Sequence, residues 1–594
     1  MSDRSAVVLA VAVVVGAAVS WALPLWPAVA VGAAGFALRR PWLVCLAGAL
    51  VASALGARAW AGLDPVEEGS YAGTVTLVAE PEDVAGAVRV DVAADGRRLE
   101  AWARGGDAGR LRDRMAGERV SVVGRLEPPP EDDTWMALRH VVGRLSVTSV
   151  GGWERGHPVA TLANGLRRTL LDGARPLPDD LRSIFAGLVL GDVREQSVAL
   201  ADEFRGAGLS HLLAVSGQNV AFVLALAAPL AARCPAGVRP FLLLAVLGFF
   251  ALVTRFEPSV LRASAMAAIA TVAVTFGSRA SSARLLSLAV ATVVLVDPLL
   301  VWSAAFRLSV AASAGIIAFS QRIARALPGP RPLAGAASVT LAAQLGVAPV
   351  LIPTFGGLPV ASLPANLAVA PVAGPVTLWG LTAGVVAGLL PDLAGLLHAP
   401  TRLLVGWIAA VARTASSAPL GELGMAHLVV GVSLVAIAWA AARWGWRRCS
   451  RASLVGAAAI LLLPAIGLAG PQSLRATPAP GATLWRAASG GGAVLVVDDA
   501  PSPSRLLVGL RRSGVRRLDL VVLTAGGSSH AAALRAVSDR YQPALVLAPE
   551  GHRVPGAQVP APGTRLLVGG LTIVFEAVGE RLEVAVTRTS QVPP

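Results

Sequence analysis

Apolar runs of close to membrane-spanning length recur along this chain, and arginine-rich connections separate them. A helix needs roughly 20 predominantly apolar residues to cross the hydrocarbon core of a bilayer, so the repetition places most of the chain in lipid. The chain is 55% hydrophobic and 15% charged, a balance that soluble domains do not reach. One amphipathic surface helix does not generate such a pattern. About three runs occupy residues 6–61, broken by Pro24 and by Arg39-Arg40-Pro41. About ten more lie near 208–230, 239–256, 258–277, 283–301, 303–320, 335–354, 359–390, 400–416, 425–443 and 452–469. The run 359–390 contains Pro364, Pro371 and Pro375 and is long enough for two half-spans or a re-entrant segment.

Two stretches are polar instead. Residues 70–150 carry alternating β-branched runs near 71–79, 86–94, 98–103, 119–127 and 140–149, with a helix-like stretch at 109–115 before the fourth. Five short strands in that order predict a small Greek-key barrel of the OB type. Residues 481–594 predict a soluble α/β tail with strands at 493–498, 518–523, 544–548 and 572–576. The expected division is N-terminal transmembrane helices at 1–65, the barrel at 70–150, amphipathic linker helices at 155–207, a transmembrane domain at 208–470 and the tail at 481–594. The fold class is thus a polytopic α-helical membrane protein of about 13 spans carrying two soluble domains.

The net charge is +14, and every basic residue except histidine is arginine. A Walker loop uses a lysine to reach nucleotide phosphates, so ATP hydrolysis by this chain is not expected. Basic connections occupy every second loop of the long membrane region: Arg233 and Arg239; Arg279 and Arg284; Arg322, Arg325 and Arg331; and Arg443, Arg447, Arg448 and Arg451. The positive-inside rule makes those loops cytoplasmic. Applied to Arg39-Arg40 as well, it puts both soluble domains outside, on a multi-pass protein of the cell's inner membrane. The N-terminal apolar stretch is followed within a few residues by Arg39-Arg40 and a second apolar run, and is expected to be a retained anchor. Cys45, Cys234 and Cys449 are far apart in spacing that fits neither a metal site nor a disulfide framework. No cofactor is expected.

The stretch Leu181-Arg-Ser-Ile-Phe-Ala-Gly-Leu-Val-Leu-Gly-Asp192, followed by Phe204-Arg-Gly-Ala-Gly-Leu-Ser-His-Leu-Leu-Ala-Val-Ser-Gly217, resembles the signature of the ComEC competence family. Its core is Gly208, Leu209, Ser210, His211, Ser216 and Gly217. The resemblance extends through Glu257-Pro-Ser-Val-Leu-Arg262, Asp297-Pro298, Phe306-Arg-Leu-Ser309 and Pro359-Val-Ala-Ser-Leu-Pro-Ala-Asn366. It implies an external OB-like domain, a membrane channel for single-stranded transforming DNA, and a C-terminal metallo-β-lactamase-like domain. The implied partners are single-stranded DNA, membrane lipid, an external DNA receptor and a cytoplasmic helicase or strand-binding protein; a homo-oligomer is also open. Where the family often shows Ser-Gly-Leu-His, this chain has Ser216-Gly217-Gln218-Asn219, so a role for that second histidine does not carry over.

The same residues ask for explanation on chemistry alone. Ser210, His211, Ser216, Gln218 and Asn219 place polar groups in an apolar span, where lipid offers no hydrogen bonds. Bonding between helices, or capping in the case of His211, is the alternative to lining a wet path. Arg255, Glu257, Arg262, Asp297 and Arg307 fall near the external ends of different spans. An ionisable group at a helix centre costs roughly 2.5–3.5 kcal/mol on insertion scales, so retained ones face water or a partner. The candidate DNA path is His211, Ser216, Asn219, Arg255, Glu257, Arg262, Asp297 and Arg307. Arg255, Arg262 and Arg307 are expected to ring its outer mouth, against the alternative that each snorkels or pairs with an acid.

In the tail, residues 505–524 resemble the strand-turn entry to the metal loop of metallo-β-lactamase relatives. The histidine- and aspartate-rich motif that follows there is replaced by Ala525-Gly526-Gly527-Ser528-Ser529-His530. Ala525 and Gly527 offer no side-chain lone pair, and Ser529 is a poor zinc ligand, so His530 is left without a metal-binding set. His552 and Asp498-Asp499 have no spacing that recommends them. No catalytic residue and no metal are expected. An exported metal-dependent nuclease, or a transporter of another solute, is the competing reading. Arg511, Arg512, Arg516 and Arg517 are expected either to contact DNA or to form a solvated helix end.

Overall fold

The computed structural model describes residues 2–594 except 85, 131–133, 279, 419, 445–451, 454–455, 457–458, 460–473, 488–491, 500, 553, 555, 578–580 and 589–594. The chain opens with α1 (Asp3–Val19), α2 (Leu25–Ala37) and α3 (Pro41–Ala61). The Ser2 hydroxyl accepts the Ser5 N–H at the start of α1, and Pro41 occupies the first turn of α3, where a missing N–H costs nothing. Small residues bring α1 and α3 together: a Cβ on Gly16 would collide with the Ala49 carbonyl.

The first soluble domain consists of β1 (Gly69–Leu77), β2 (Glu82–Val84), β3 (Ala87–Ala94), β4 (Arg97–Arg104), α4 (Gly105–Arg112), β5 (Arg119–Glu127), α5 (Thr134–Leu138) and β6 (Val141–Glu154). The strand order is β1-β5-β6-β4-β3, and β1 pairs again with β3 at Thr76↔Ala93 and Leu77↔Val92, so the sheet closes on itself. The short β2 is appended to β3. All ladders are antiparallel except β4–β6. Period-two alternation sends Val75, Leu77, Val88, Val90, Leu99, Ala101, Val122 and Leu145 inward. Asp95 and Gly96 join β3 to β4, both with positive φ, the backbone a two-residue type I′ hairpin needs.

Three linker helices follow: α6 (Pro158–Gly173), α7 (Asp179–Leu190) and α8 (Val198–Gly206). A single 3-10 turn at Ser210–Leu212 then leads into α9 (Gly217–Arg233), α10 (Arg239–Val253), α11 (Pro258–Thr275), α12 (Ser282–Val296), α13 (Ala304–Ala326), α14 (Arg331–Phe355), α15 (Ser362–Leu389), α16 (Ala394–Leu397), α17 (Ala399–Ser417) and α18 (Met425–Arg443). Two short strands, β7 (Leu358–Pro359) and β8 (Glu422–Leu423), pair where α14 meets α15 and α17 meets α18.

Among the described residues, six helices are long and apolar enough to cross a membrane, or seven if the bent pair Pro391–Leu397 and Ala399–Ser417 is one span. Four shorter apolar helices, Leu25–Ala37, Arg239–Val253, Ser282–Val296 and Met425–Ala441, add to these. The protein is a helical membrane protein, with fewer full-length spans than the roughly 13 apolar runs promise. Residues such as Asp297 and the Thr254–Glu257 turn end α12 and α10 early, which run-counting does not register. The run 359–390 holds one helix, α15 (Ser362–Leu389), with Pro371 and Pro375 inside it. Most of the run 452–469 lies outside the described residues.

The C-terminal domain holds β9 (Arg475–Ala479), β10 (Ala482–Arg486), β11 (Ala493–Val497), α19 (Pro503–Arg512), β12 (Leu520–Leu523), α20 (Ser528–Tyr541), β13 (Leu545–Leu547), β14 (Arg565–Val568), β15 (Leu571–Ala577) and β16 (Glu583–Arg588). The strand order β13-β12-β11-β10-β9 has β11, β12 and β13 parallel, linked through α19 and α20. Leu506, Leu507 and Leu510 pack on one face of this sheet, while Ile573 and Phe575 of the three-stranded β14-β15-β16 sheet cover the other. Leu520 to Leu523 are accordingly buried on both sides. The stretch 505–524 is a helix, a turn and a strand rather than a strand-turn entry. The Ser502 hydroxyl caps α19 at the Arg505 N–H, Pro503 starts it, and its three leucines share one face.

Candidate functional site

Short connections make successive bundle helices alternate in direction. The connections 254–257, 297–303 and 356–361 therefore lie at one end with the start of α9, and those at 234–238, 276–281 and 327–330 at the other. Both soluble domains contact the first end. Glu80 of the barrel bonds Arg255 at 2.7 and 2.8 Å, and His140 lies 3.2 Å from Asp297. From the C-terminal domain, Arg512 donates to the Phe355 carbonyl at 2.8 Å, and Arg511 pairs with Glu422.

Residues 206–217 enter the bundle at this end, gripped at almost every step. Gly208 adopts φ +69, and a Cβ there would overlap Ser362 of α15. Asn366 donates to the Gly208 carbonyl at 3.4 Å, Gln196 to the Leu213 carbonyl at 3.0 Å, and Ser259 to the Val215 carbonyl at 2.7 Å. Asn219 donates to the Leu188 carbonyl at 2.7 Å and accepts from Ser216 at 3.2 Å. Arg262 bonds the Ser309 hydroxyl at 2.8 Å and lies beside Gly217. Segments around residues 190, 210, 260, 309 and 366 thus converge on one place, although more than 170 residues separate the first from the last. Replacing Gly208 with alanine should cost about 1–2 kcal/mol for the left-handed backbone alone, with the Ser362 clash added. Thermal unfolding of the purified variant in detergent measures it.

Beneath this loop lies a buried ionic junction. Arg167 of α6, fully buried, donates to the carbonyls of Leu190 and Val253 at 2.8 Å each and pairs with Asp192 at 3.1 Å and Glu80 at 3.3 Å. Asp192 also takes two bonds from Arg194, at 2.6 and 2.9 Å, and Arg255 adds one to Asn164 at 2.6 Å. One cluster therefore fixes the barrel, α6 and the C-terminal ends of α7 and α10. It holds Arg255 and Phe256 in the left-handed region at φ 57 each, a conformation that non-glycine residues keep only under such constraint. Burial alone would push the Asp192 carboxyl up, but Arg194 and Arg167 more than offset it and hold it below its ordinary value of 3.8. A depressed folded pKa contributes stability above the unfolded value and loses it as pH falls through the folded one. Thermal stability in detergent should therefore drop as the pH is taken below about 4.

The eight path candidates divide into two groups. Arg255 and Asp297 are committed to the barrel, through Glu80 and His140, and Asp297 also caps the turn at Leu299. Ser216 and Asn219 bond within the protein as described, and with Gln218, Phe222 and Thr377 they line a nook of about 20 Å³, room for a water molecule. His211 and Arg307 are exposed, and Glu257 and Arg262 are half-buried. Among the described residues, no carboxylate lies within ion-pair distance of Arg262 or Arg307. The barrel's reach to Arg255 and Asp297, and the buried Arg167, had no sequence signal beyond an arginine in an amphipathic helix.

In the C-terminal domain the two pairs of arginines part company. Arg511 and Arg512 are tied to the bundle end, whereas Arg516 and Arg517 are exposed. His530 Nε2 lies 3.3 Å from the Asp498 carbonyl oxygen, and Gly526 packs against His552. Among the described residues, no group of three or more His, Cys, Asp or Glu is placed to hold a metal ion.

A helical membrane protein whose two soluble domains dock at one bundle end, around a shared polar junction, is the class these features define. A family model described as "Competence protein" matches residues 188–463, which contain most of the converging segments. The chain is 26% identical over 306 residues to ComE operon protein 3 of Bacillus subtilis (strain 168), covering 49% of this chain and 39% of that relative's length. No solved structure matches the chain. Over this region the chain is similar to proteins of the competence family, and it spans about two fifths of the length of the relative it matches.

Proposed function

We propose that the chain takes part in DNA uptake during competence and that its bundle is the passage for one strand of the DNA. The observation that carries this reading is the meeting of the family segments at a single junction where Arg262 and Arg307 keep charge that no neighbouring acid cancels. A cationic site at membrane depth is costly unless a partner or water meets it, and a phosphate backbone is a partner that such a site accepts without reading sequence. His211 and Glu257 complete the polar rim, with Ser216 and Asn219 fixing the start of α9 beneath it.

We read the barrel as OB type, because five strands in the order β1-β5-β6-β4-β3, closed by β1–β3 and with one parallel ladder, fit that topology once β2 is set aside. We read the C-terminal domain as metallo-β-lactamase-like, with its metal loop lost. Both face outward in this account, since the arginines at 233, 239, 284, 322, 325 and 331 cluster at the far end of the bundle. Conduction is passive: a cell-negative potential opposes the strand by about 2.3 kcal/mol per charge per 100 mV, and a chain without lysine has no Walker loop to pay for it. A cytoplasmic helicase or strand-binding protein and an external DNA receptor are therefore the partners.

Deleting the gene in a competent host and following labelled duplex DNA tests the reading. Surface-bound label should persist while cytoplasmic label disappears; undiminished entry would refute it. Purified chain incubated with Zn²⁺ or Mn²⁺ should leave both duplex and single-stranded DNA uncut, and metal-dependent cleavage would favour the nuclease reading instead.

A further inference from the structure

We propose that the C-terminal domain is a positioning element for the signature loop 206–217, acting through Arg511 and Arg540. The proposal relies on the DNA-path reading for its functional consequence but not for its geometry. Asp202 and Glu203 stand at the end of α8, a few residues before the loop, and Asp202 is fully buried. Arg511 reaches Asp202 at 3.3 Å and also pairs with Glu422, which follows α17. Arg540 lies 3.5 Å from Glu203 and 3.8 Å from Asp202, and donates to the Ser416 hydroxyl at 3.0 Å.

Arg511 does more than neutralise charge. Its side chain lies directly on Gly206, where a Cβ would stand 2.9 Å from its Cδ, so the absence of a side chain at 206 lets the arginine cover the loop's first residue. Two residues on, Gly208 is pressed against Ser362 from the bundle side. The loop is thereby held between the C-terminal domain and α15. Arg512 extends the same contact to the α14–α15 connection, through the Phe355 carbonyl and Glu422. A domain with no metal-binding set among its described residues still has a mechanical use here: docked, it keeps the loop closed over the start of α9, and undocked, it frees residues 206–217.

The test uses the full chain purified in detergent, with Cys45, Cys234 and Cys449 replaced by serine and Leu209→Cys introduced as a probe. Leu209 is fully buried in the loop. Maleimide labelling at 209 should be slow in this background and about tenfold faster in Arg511→Ala/Arg540→Ala, as expected when a local contact that protects a site is lost. A second variant, Asp202→Asn with Arg511→Gln, removes both charges without orphaning a buried one, and should give the same acceleration. Arg511→Lys should restore much of the protection. A separate Arg516→Cys probe, on the exposed side of the same domain, should label equally in every background. Unchanged labelling at 209 in both variants would overturn the proposal. Accelerated labelling together with lost DNA uptake in cells supports it. Accelerated labelling in a chain whose parent imports no DNA would support the positioning role and refute the DNA reading.

Discussion

Arg167→Met should lower stability by about 3–5 kcal/mol, the cost of removing one partner from a buried ion pair, and deplete the chain from the membrane. The guanidinium is fully buried and serves four masters at once: the carbonyls of Leu190 and Val253, and the carboxylates of Asp192 and Glu80. Methionine fills comparable volume but leaves two acids with less positive charge and two carbonyls without their donor. The loss falls on the joint between the barrel and the bundle, so α6, α10 and the turn at Arg255-Phe256 should loosen together. Steady-state membrane content and the unfolding temperature in detergent report it. Wild-type values for both would show that the junction is not the keystone described.

Arg262→Gln should behave in the opposite way: normal membrane content, with DNA uptake reduced by about 10- to 100-fold, the equivalent of one lost charge-assisted contact to phosphate at roughly 1.5–3 kcal/mol. Glutamine still reaches the Ser309 hydroxyl, and no acid is orphaned, so the fold has little reason to fail. Only the charge offered to a passing phosphate disappears. Arg262→Lys should retain part of the uptake. Arg255→Gln provides the contrast, because it strips Glu80 of a partner and should therefore reduce chain content before it affects uptake specifically. If Arg262→Gln and Arg255→Gln lost membrane content equally, Arg262 would be a structural residue and the phosphate site would go.

Much of the architecture was legible in residue order because the periodicities differ so sharply. Period-two runs in 70–150 place β1, β3, β4, β5 and β6 within a few residues of their observed limits, and the short hydrophobic runs of the tail locate β11, β12, β13 and β15. Apolar length was less informative about crossings, because α10 and α12 end where polar turns begin and α2 is only 13 residues long. The site was legible as a set of segments but not as a set of roles. Nothing in the neighbourhood of Arg255 announces that its partner is Glu80, 175 residues earlier, nor does Asp297 announce His140. In sequence Arg511 reads either as a DNA contact or as a solvated helix end, because its partners, Asp202 and Glu422, lie 309 and 89 residues away. Long-range ion pairs leave no local trace, whereas a glycine such as Gly206 or Gly208 leaves only the hint of a close approach.

A passage for one DNA strand requires that the bundle let a polyanion through a membrane. Purified chain reconstituted in vesicles, with a potential positive inside and a fluorescent single-stranded oligonucleotide outside, tests that without any partner protein. Protected fluorescence should accumulate inside wild-type vesicles, stay at the level of empty vesicles with Arg262→Gln, and be absent for a duplex of the same length. Wild-type vesicles that admit no more oligonucleotide than empty ones under that potential would contradict the account.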